Sequence, residues 1–334
     1  MLTGSMIFLA GFLVAGFAIL LYSGDCLVRG ALAAALKSRV SPLLVGIVIV
    51  GFGTSLPELL IAIRSVQDGS YGLAHGNIVG SNIANVWLVI ALPAIIFPVV
   101  TKAPRMRATA LVMLAATAAW IAITPLMGLN PAIGAAMLAA LAVYVVLASV
   151  IARRDTDKNT PQEARLERMH SWRMVVLILI GVVGLPLGAQ ILVESGISLA
   201  RAYGLSEESV GLTLLAVGTS LPELGAGLAA AWRKESDVAL GNILGSNIFN
   251  ILGVGGAIAL AGAQSLSPQF ANYSDWAMAI SAILVTLIIL THRKIGWFTG
   301  IVFLGLYAAY LYGLVRGWSF GDMRCLILEC PAPV

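Results

Sequence analysis

Residues 45–58 read VGIVIVGFGTSLPE, and residues 210–223 read VGLTLLAVGTSLPE, so both stretches end in the same six letters. A second matching pair follows them, with GNIVGSNIAN at 76–85 and GNILGSNIFN at 241–250. The two pairs share one offset of 165 residues, without insertion or deletion between the blocks. This period is longer than that of solenoid repeats, so it indicates a duplicated half-protein.

The composition indicates a membrane protein. Of the 334 residues, 59% are hydrophobic and only 11% are charged, whereas soluble domains carry about 25% charged residues. Apolar runs long enough to cross about 30 Å of hydrocarbon occur along the whole chain. The first run is expected to continue past residue 24 as a long tilted helix. We predict about ten spans: 5–24, 41–66, 72–98, 107–127, 131–151, 173–200, 206–232, 237–262, 273–291 and 296–316.

The repeat length sets the predicted architecture. One period contains five spans, and an odd number of spans makes the second half enter the membrane from the opposite side. The predicted fold is therefore an all-α integral membrane protein with two inverted five-helix repeats. Its predicted parts are a first repeat at 1–152 with motifs at 51–85, a cytoplasmic linker at 153–172, a second repeat at 173–316 with motifs at 216–250, and an extracytoplasmic tail at 317–334.

The basic residues predict the orientation in the membrane. With the N-terminus outside, fifteen of the 20 lysines and arginines fall in cytoplasmic loops, against Arg64, Arg201, Arg316 and Arg324 outside. Cytoplasmic loops are enriched in Lys and Arg, so this bias predicts a cell (inner) membrane protein with both termini extracytoplasmic. The same bias accounts for the net charge of +4, so we expect no nucleic-acid partner.

The ends of the chain allow two further expectations. The N-terminus lacks the basic region and small-residue cleavage site of a removable signal peptide, so we expect it to form the first span. The three cysteines make no metal-binding pattern. Cys325 and Cys330 lie in the predicted external tail and could form a disulfide, which their spacing alone does not decide.

The repeated GTSLPE motif places a proline inside each predicted helix. Proline lacks a backbone N–H, and its ring disturbs the carbonyl four residues earlier, at Gly53 and Gly218. A freed carbonyl at membrane depth is costly unless it is satisfied, and a cation can satisfy it.

The side chains of the motif point to the same chemistry. Thr54 and Ser55 lie four and three residues before Glu58, so they share one side of a helix, and Thr219, Ser220 and Glu223 repeat this arrangement. An ionised acid near the bilayer centre costs at least about 2.5 kcal/mol. A kink with a protonated, hydrogen-bonded glutamate is the alternative for one copy, but for two copies it would require the same expensive feature twice.

The second motif supplies neutral oxygens. Asn77, Ser81 and Asn85 recur every four residues, as do their counterparts Asn242, Ser246 and Asn250. No thiolate or imidazole accompanies this pattern, and an oxygen-only set suits hard cations such as Na⁺ and Ca²⁺ rather than zinc or copper.

At these residues the chain resembles the sodium/calcium exchangers of the calcium/cation antiporter superfamily. The resemblance covers nearly the whole chain and implies a central cluster of one calcium site and adjacent sodium sites, occupied alternately. It implies that Glu58 and Glu223 are the shared acidic ligands. It implies a further oxygen ligand set of Thr54, Thr219, Ser55, Ser220, Ser81, Ser246, Asn85 and Asn250, with the backbone carbonyls of Gly51 and Ala216.

One position bears on potassium. Potassium-dependent exchangers of this superfamily generally carry Asp where this chain has Asn250, so the resemblance implies exchange that does not require K⁺. The proton-coupled branch usually shows a GNATE-like motif in place of GTSLPE, which makes proton coupling less expected.

We therefore predict a secondary antiporter, not an enzyme, that exchanges Na⁺ for Ca²⁺ by alternating access, electrogenically if an extra Na⁺ is carried. Proton-coupled or K⁺-dependent exchange and a cation channel remain as alternatives. We expect no cofactor, because Ca²⁺ and Na⁺ would be transported substrates. The expected partners are these ions and the lipid bilayer, and no obligatory protein partner is evident.

Other polar residues in the predicted spans are weaker candidates. Asp25 and Arg29 are spaced for an ion pair along the first helix, and Glu194 occupies the position of Arg29 in the second half. We expect this pair to be structural or to act in gating. His75 and His292 are expected near span ends, facing the interface.

Overall fold

The computed structural model describes residues 2–100, 105–151, 166, 168–202, 217–262, 273–291 and 293–316. Within these ranges the chain is almost entirely helical. The helices are α1 (Leu2–Ser38), α2 (Pro42–Thr54), α3 (Leu56–Gln67), α4 (Tyr71–Ile96), α5 (Met106–Met127), α6 (Pro131–Ile151), α7 (Ser171–Ala202), α8 (Leu221–Trp232), α9 (Ser236–Leu260), α10 (Tyr273–Leu290) and α11 (Trp297–Val315).

The duplication seen in the sequence is also present in the helices. The bounds of α3 and α8 coincide under the 165-residue offset. Two π-helical segments also correspond, Asn85–Val89 within α4 and Phe249–Val254 within α9. A π-helical turn inside an α-helix frequently marks a functional site, and both of these begin at the end of the second motif.

The membrane-spanning character is confirmed. Within the described ranges, eight helices are long and apolar enough to cross a bilayer, and the bent pair of α2 and α3 provides a ninth. The predicted span at 206–232 is described only from residue 217 onward, where α8 forms its second part.

The centre of the molecule is formed by α4 and α9. In each of them 78% of the most apolar window is buried, against 11% in α6 and 22% in α7. The outer helix α6 exposes Val143, Val146 and Val150. These exposed apolar side chains suit contact with lipid, whereas α4 and α9 bury serines and asparagines such as Ser81, Asn85, Ser246 and Asn250.

The long first helix is confirmed, and it pairs with α7. Their backbones approach closely because glycines face each other across the contact: a Cβ at Gly188 would lie 2.8 Å from the backbone nitrogen of Leu20. Small residues allow this close packing between membrane helices. The pair meets the centre at α8, where a Cβ at Gly24 would lie 2.5 Å from the carbonyl oxygen of Gly225.

Several predicted features lie outside the described residues. They are most of the linker at 153–172, the tail at 317–334 with Cys325 and Cys330, His292, and the backbone of Ala216. The predicted domain boundaries therefore stay predictions.

Candidate cation site

The helices break within both copies of GTSLPE. Ser55 has φ −88° and ψ 9°, and Ser220 has φ −90° and ψ 3°, so neither residue continues a helix. The axes of α2 and α3 differ by 42°. Pro57 and Pro222 then lie in the first turn of the following helix, where a missing N–H costs nothing.

The sequence predicted that each proline disturbs a helix. In the structure the helix is interrupted completely, at the serine two residues before each proline. No described contact bears on whether the carbonyls of Gly53 and Gly218 are freed, and that part stays a prediction.

Glu58 and Glu223 lie in the first turns of α3 and α8. Their residues are only 1% and 0% exposed. The positive end of a helix dipole stabilises a nearby carboxylate. Two such helix starts therefore bring two negative charges into the centre of the protein, where a cation can neutralise them.

The first motif of one half contacts the other half directly. The Ser55 hydroxyl donates to Glu223 Oε1 at 2.8 Å, and the hydroxyls of Ser81 and Thr219 are 3.3 Å apart. Each predicted cluster thus contains residues from both repeats, and the site forms where the two halves meet.

The backbone carbonyl of Gly51 also lies in this cluster. It accepts a 3.0 Å hydrogen bond from the Ser246 hydroxyl. The Thr54 hydroxyl lies 3.2 Å from the same oxygen and 3.3 Å from Asn242 Oδ1, so it can donate to either one. The structure therefore brings Ser246 to Gly51 and Thr54, although Ser246 lies 195 positions from Gly51 in the sequence.

Asn77 and Asn242 hold the broken helices in place. Asn77 Nδ2 donates to the backbone oxygen of Glu58 at 2.9 Å, and Asn242 Nδ2 donates to that of Glu223 at 3.2 Å. Because the same bond forms in both halves, these amides fix the start of α3 and α8, and their first role is to position the glutamates.

Two asparagines that the four-residue pattern missed, Asn82 and Asn247, contact predicted ligands of the other repeat. Asn85 Nδ2 donates to Asn247 Oδ1 at 3.0 Å, and Asn250 Nδ2 lies 3.4 Å from Asn82 Oδ1. Asn82 and Asn247 precede Asn85 and Asn250 by three residues, which also places them on the neighbouring helix face. Their presence in both copies of GSN was a signal that could have identified them.

Several buried oxygens in this cluster have no hydrogen-bond partner among the described residues. A buried acceptor without a partner costs about 1–3 kcal/mol, and more when it is charged. Their lack of a partner makes these oxygens candidate cation ligands: Glu58 Oε1 and Oε2, Glu223 Oε2, Asn85 Oδ1, Asn250 Oδ1 and Ser220 Oγ.

The donor set matches hard cations. Within the described ranges no group of three or more His, Cys, Asp or Glu side chains occurs that could hold a metal. A cation bound here would therefore combine the two carboxylates with hydroxyl, amide and carbonyl oxygens, the ligand types preferred by Ca²⁺.

Asp25 has a stronger partner than the sequence spacing suggested. Arg29 Nη1 lies 3.7 Å from Asp25 Oδ2, as the spacing predicts, but Arg233 Nε donates to Asp25 Oδ1 at 2.6 Å. Arg233 follows the last residue of α8, so the ion pair links α1 to the centre. Glu194 instead accepts a 2.8 Å hydrogen bond from Gln190 of its own helix.

The prediction that His75 faces the membrane interface is wrong. His75 is 1% exposed; its Nε2 lies 3.3 Å from Asp275 Oδ1, and its ring stacks on Trp120 with centroids 5.5 Å apart. The cause is that α4 begins at Tyr71, so His75 lies one turn inside and is covered by α5 and α10.

Comparison with known proteins identifies the kind of molecule. The family model described as "Sodium/calcium exchanger protein" matches residues 8–150 and 173–316. The inner membrane protein YrbG of Escherichia coli is 30% identical over 294 residues, covering 85% of this chain and 89% of YrbG. The sodium/calcium exchanger MaX1 of Methanosarcina acetivorans is 26% identical over 337 residues, covering 90% of this chain and 96% of MaX1.

A solved structure shares the fold. The sodium-calcium exchanger NCX_Mj, soaked with 2.5 mM Na⁺ and 10 mM Sr²⁺, superposes with a TM-score of 0.78 at 30% identity. The match covers 92% of this chain and 99% of NCX_Mj. The resemblance inferred from the repeated motifs is thereby confirmed over nearly the full length.

Proposed function

The chain belongs to the sodium/calcium exchanger family, and on that premise we propose that it exchanges Na⁺ for Ca²⁺ by alternating access through the buried oxygen cluster between its halves. The observation that carries this proposal is the pair Glu58 and Glu223, buried at the meeting point of two repeats with three carboxylate oxygens lacking a hydrogen-bond partner among the described residues.

Charge balance explains how one site can serve two ions. Two carboxylates are neutralised equally by one Ca²⁺ or by two Na⁺, so the ions compete for the same oxygens. Because desolvated charge is expensive at membrane depth, the protein crosses between its two conformations most easily when the carboxylates are neutralised. Any additional Na⁺ makes the cycle electrogenic, which we include in the proposal.

The proposed independence from K⁺ rests on Asn250. Its amide is buried, with Nδ2 near Asn82 Oδ1 and Oδ1 without a hydrogen-bond partner in the described ranges. An amide offers one neutral oxygen where a carboxylate would add a negative charge. Without that third charge, the site has less electrostatic attraction for a further monovalent ion.

The fold suggests which part moves. The helices α1 and α7 pack on each other through glycines and meet the centre mainly along α8. We propose that this pair slides across the centre and opens the site to one side at a time. The basic residues support both termini outside, and the E. coli relative is named an inner membrane protein, which supports the same location for this chain.

Flux measured in vesicles tests the proposal. Purified protein is reconstituted, and uptake of labelled Ca²⁺ is followed with Na⁺, K⁺ or choline inside and a K⁺-free medium outside. Uptake driven by internal Na⁺ alone is expected, and it should respond to an imposed membrane potential. Equal uptake with all three internal ions would contradict Na⁺ coupling and would point to a channel. Uptake from internal Na⁺ that appears only after K⁺ is added outside would point to K⁺-dependent exchange, and uptake driven by a pH gradient in Na⁺-free vesicles would point to proton coupling.

A further inference from the structure

A cleft of about 480 Å³ lies beside the start of α7, away from the cation site. Its lining combines basic, aromatic and aliphatic residues: Arg29, Arg168, Arg173, Trp172, Val176 and Leu177. Arg29 comes from α1, and the other five come from α7 and the segment that leads into it.

The cleft is cationic. Three guanidinium groups line it, and the carboxylate that pairs with Arg29 is shared: Asp25 Oδ1 accepts from Arg233, and Asp25 Oδ2 lies 3.7 Å from Arg29 Nη1. Arg168 and Arg173 are exposed in the lining. Guanidinium groups bind phosphate through paired, directional hydrogen bonds, so the charge pattern suits a phosphate group.

The remaining lining residues suit a lipid rather than a free anion. Trp172 is 61% exposed, and the Arg173 guanidinium lies 5.3 Å from the centroid of its ring. Tryptophan and arginine at the end of a membrane helix are typical of the headgroup level. Beyond them α7 exposes the apolar side chains of Val176, Leu179 and Val183, which offer a surface for an acyl chain.

We propose that this cleft binds an anionic phospholipid. Its headgroup phosphate contacts Arg29, Arg168 and Arg173, and one acyl chain lies along the exposed apolar face of α7. Under the orientation proposed above, the start of α7 is at the cytoplasmic face, where anionic lipids attract basic residues.

Lipid binding to the full-length protein tests this proposal. Native mass spectrometry from neutral detergent compares dioleoyl phosphatidylglycerol with dioleoyl phosphatidylcholine, which has the same acyl chains, and with inorganic phosphate. Preferential retention of phosphatidylglycerol is expected. The double variant Arg168→Gln/Arg173→Gln should weaken it about 25-fold, from about fivefold per arginine near a charged membrane surface.

The controls separate the alternatives. Arg168 and Arg173 are exposed, so the double variant should keep the helical content and elution volume of the unaltered protein. Arg64→Gln removes an exposed arginine that is ion-paired with Asp68 at the end of α3, and it should leave phosphatidylglycerol binding unchanged. Unweakened binding to the double variant, equal binding of phosphatidylcholine, or equal occupancy by inorganic phosphate alone would each overturn the proposal. These readouts do not involve ion exchange, so they stand whichever ions the protein transports.

Discussion

Ser55 donates a 2.8 Å hydrogen bond to Glu223, whereas its counterpart Ser220 makes no hydrogen bond through its hydroxyl within the described residues. The two repeats share the sequence GTSLPE, so this difference arises from conformation and not from composition. Under the proposed alternating access, the two halves are in different conformations at any moment, and a difference between equivalent serines is what that proposal predicts.

The serine asymmetry predicts unequal effects of a matched pair of substitutions. Ser55→Ala removes one proposed Na⁺ ligand oxygen together with the donor that holds Glu223 in place, a bond to a charged group worth about 1.5–3 kcal/mol, so the remaining oxygens are less well positioned for Na⁺. We expect the half-saturating Na⁺ concentration to rise about tenfold or more in Ser55→Ala, and by much less in Ser220→Ala. Flux titrated with Na⁺ on the extracytoplasmic side measures both, and equal effects would show that the asymmetry has no bearing on binding.

The two glutamates should be essential for exchange and dispensable for folding. Glu58→Gln and Glu223→Gln each remove half of the negative charge that neutralises Ca²⁺, so labelled Ca²⁺ uptake should fall to background. Because removing a charge from a buried site relieves its desolvation cost, the thermal midpoint should not fall. Asp68→Asn, at an exposed acid outside the site, is the control, and flux comparable to that of the unaltered protein in either glutamine variant would exclude that residue as a ligand.

Asn250 should determine how many charges the site accepts. In Asn250→Asp a third carboxylate enters a buried cluster, so one Ca²⁺ no longer neutralises it and uptake should fall. Added K⁺ should restore part of the flux by supplying the missing positive charge. The matched variant is Asn85→Asp, its counterpart in the first repeat. If K⁺ has no effect on Asn250→Asp while Ca²⁺ uptake is lost, this residue does not control K⁺ dependence.

Asn82 and Asn247 should affect cation binding by positioning the side-chain amides of Asn250 and Asn85. Asn247→Ala removes the acceptor of Asn85 Nδ2, which frees that amide to turn its oxygen away from the cluster. We expect Asn85→Ala and Asn247→Ala to weaken Na⁺ binding, and the double variant to be little worse than either alone, because residues in one hydrogen-bond network are not additive. A Na⁺ titration of the three variants measures the coupling, and strictly additive losses would contradict the positioning role.

The sequence predicted most of what depends on the repeat. The 165-residue offset predicted the correspondence of α3 with α8, and the repeated prolines indicated the disturbance that lies at Ser55 and Ser220, directly before these helices. These predictions succeeded because local backbone chemistry and membrane hydropathy act over short stretches of chain.

The contacts between distant residues could not be predicted in this way. Asp25 and Arg233 are 208 positions apart, and nothing in the spacing of α1 indicates that α8 ends beside it. The prediction for His75 was wrong for a similar reason, since the burial of this residue depends on how α5 and α10 cover the start of α4. Such contacts are set by helix packing, and a single sequence records that packing only indirectly.

The ion pair of Asp25 with Arg233 should bias the two conformations unequally. Their counterparts under the repeat are Gln190 and Asp68, which cannot form an ion pair with each other, and which instead bond Glu194 and Arg64. Under the proposed orientation the pair holds α1 against the cytoplasmic end of α8. An ion pair on one side alone therefore favours the conformation in which the cytoplasmic side is closed.

Neutralising the pair should shift that equilibrium without altering the site. Asp25→Asn should make cytoplasmic Ca²⁺ bind with a lower half-saturating concentration and external Ca²⁺ with a higher one, each by about two- to fivefold for a partly exposed pair. The charge exchange Asp25→Arg/Arg233→Asp should move both values back, and Arg64→Gln, which breaks an exposed pair local to the end of α3, serves as the control. The apparent affinity on one side falls when fewer molecules are open to that side. Opposite changes on the two sides therefore identify a shift of the equilibrium between the two conformations. Changes in the same direction would instead place the effect at the cation site, since a weaker site binds poorly from either side.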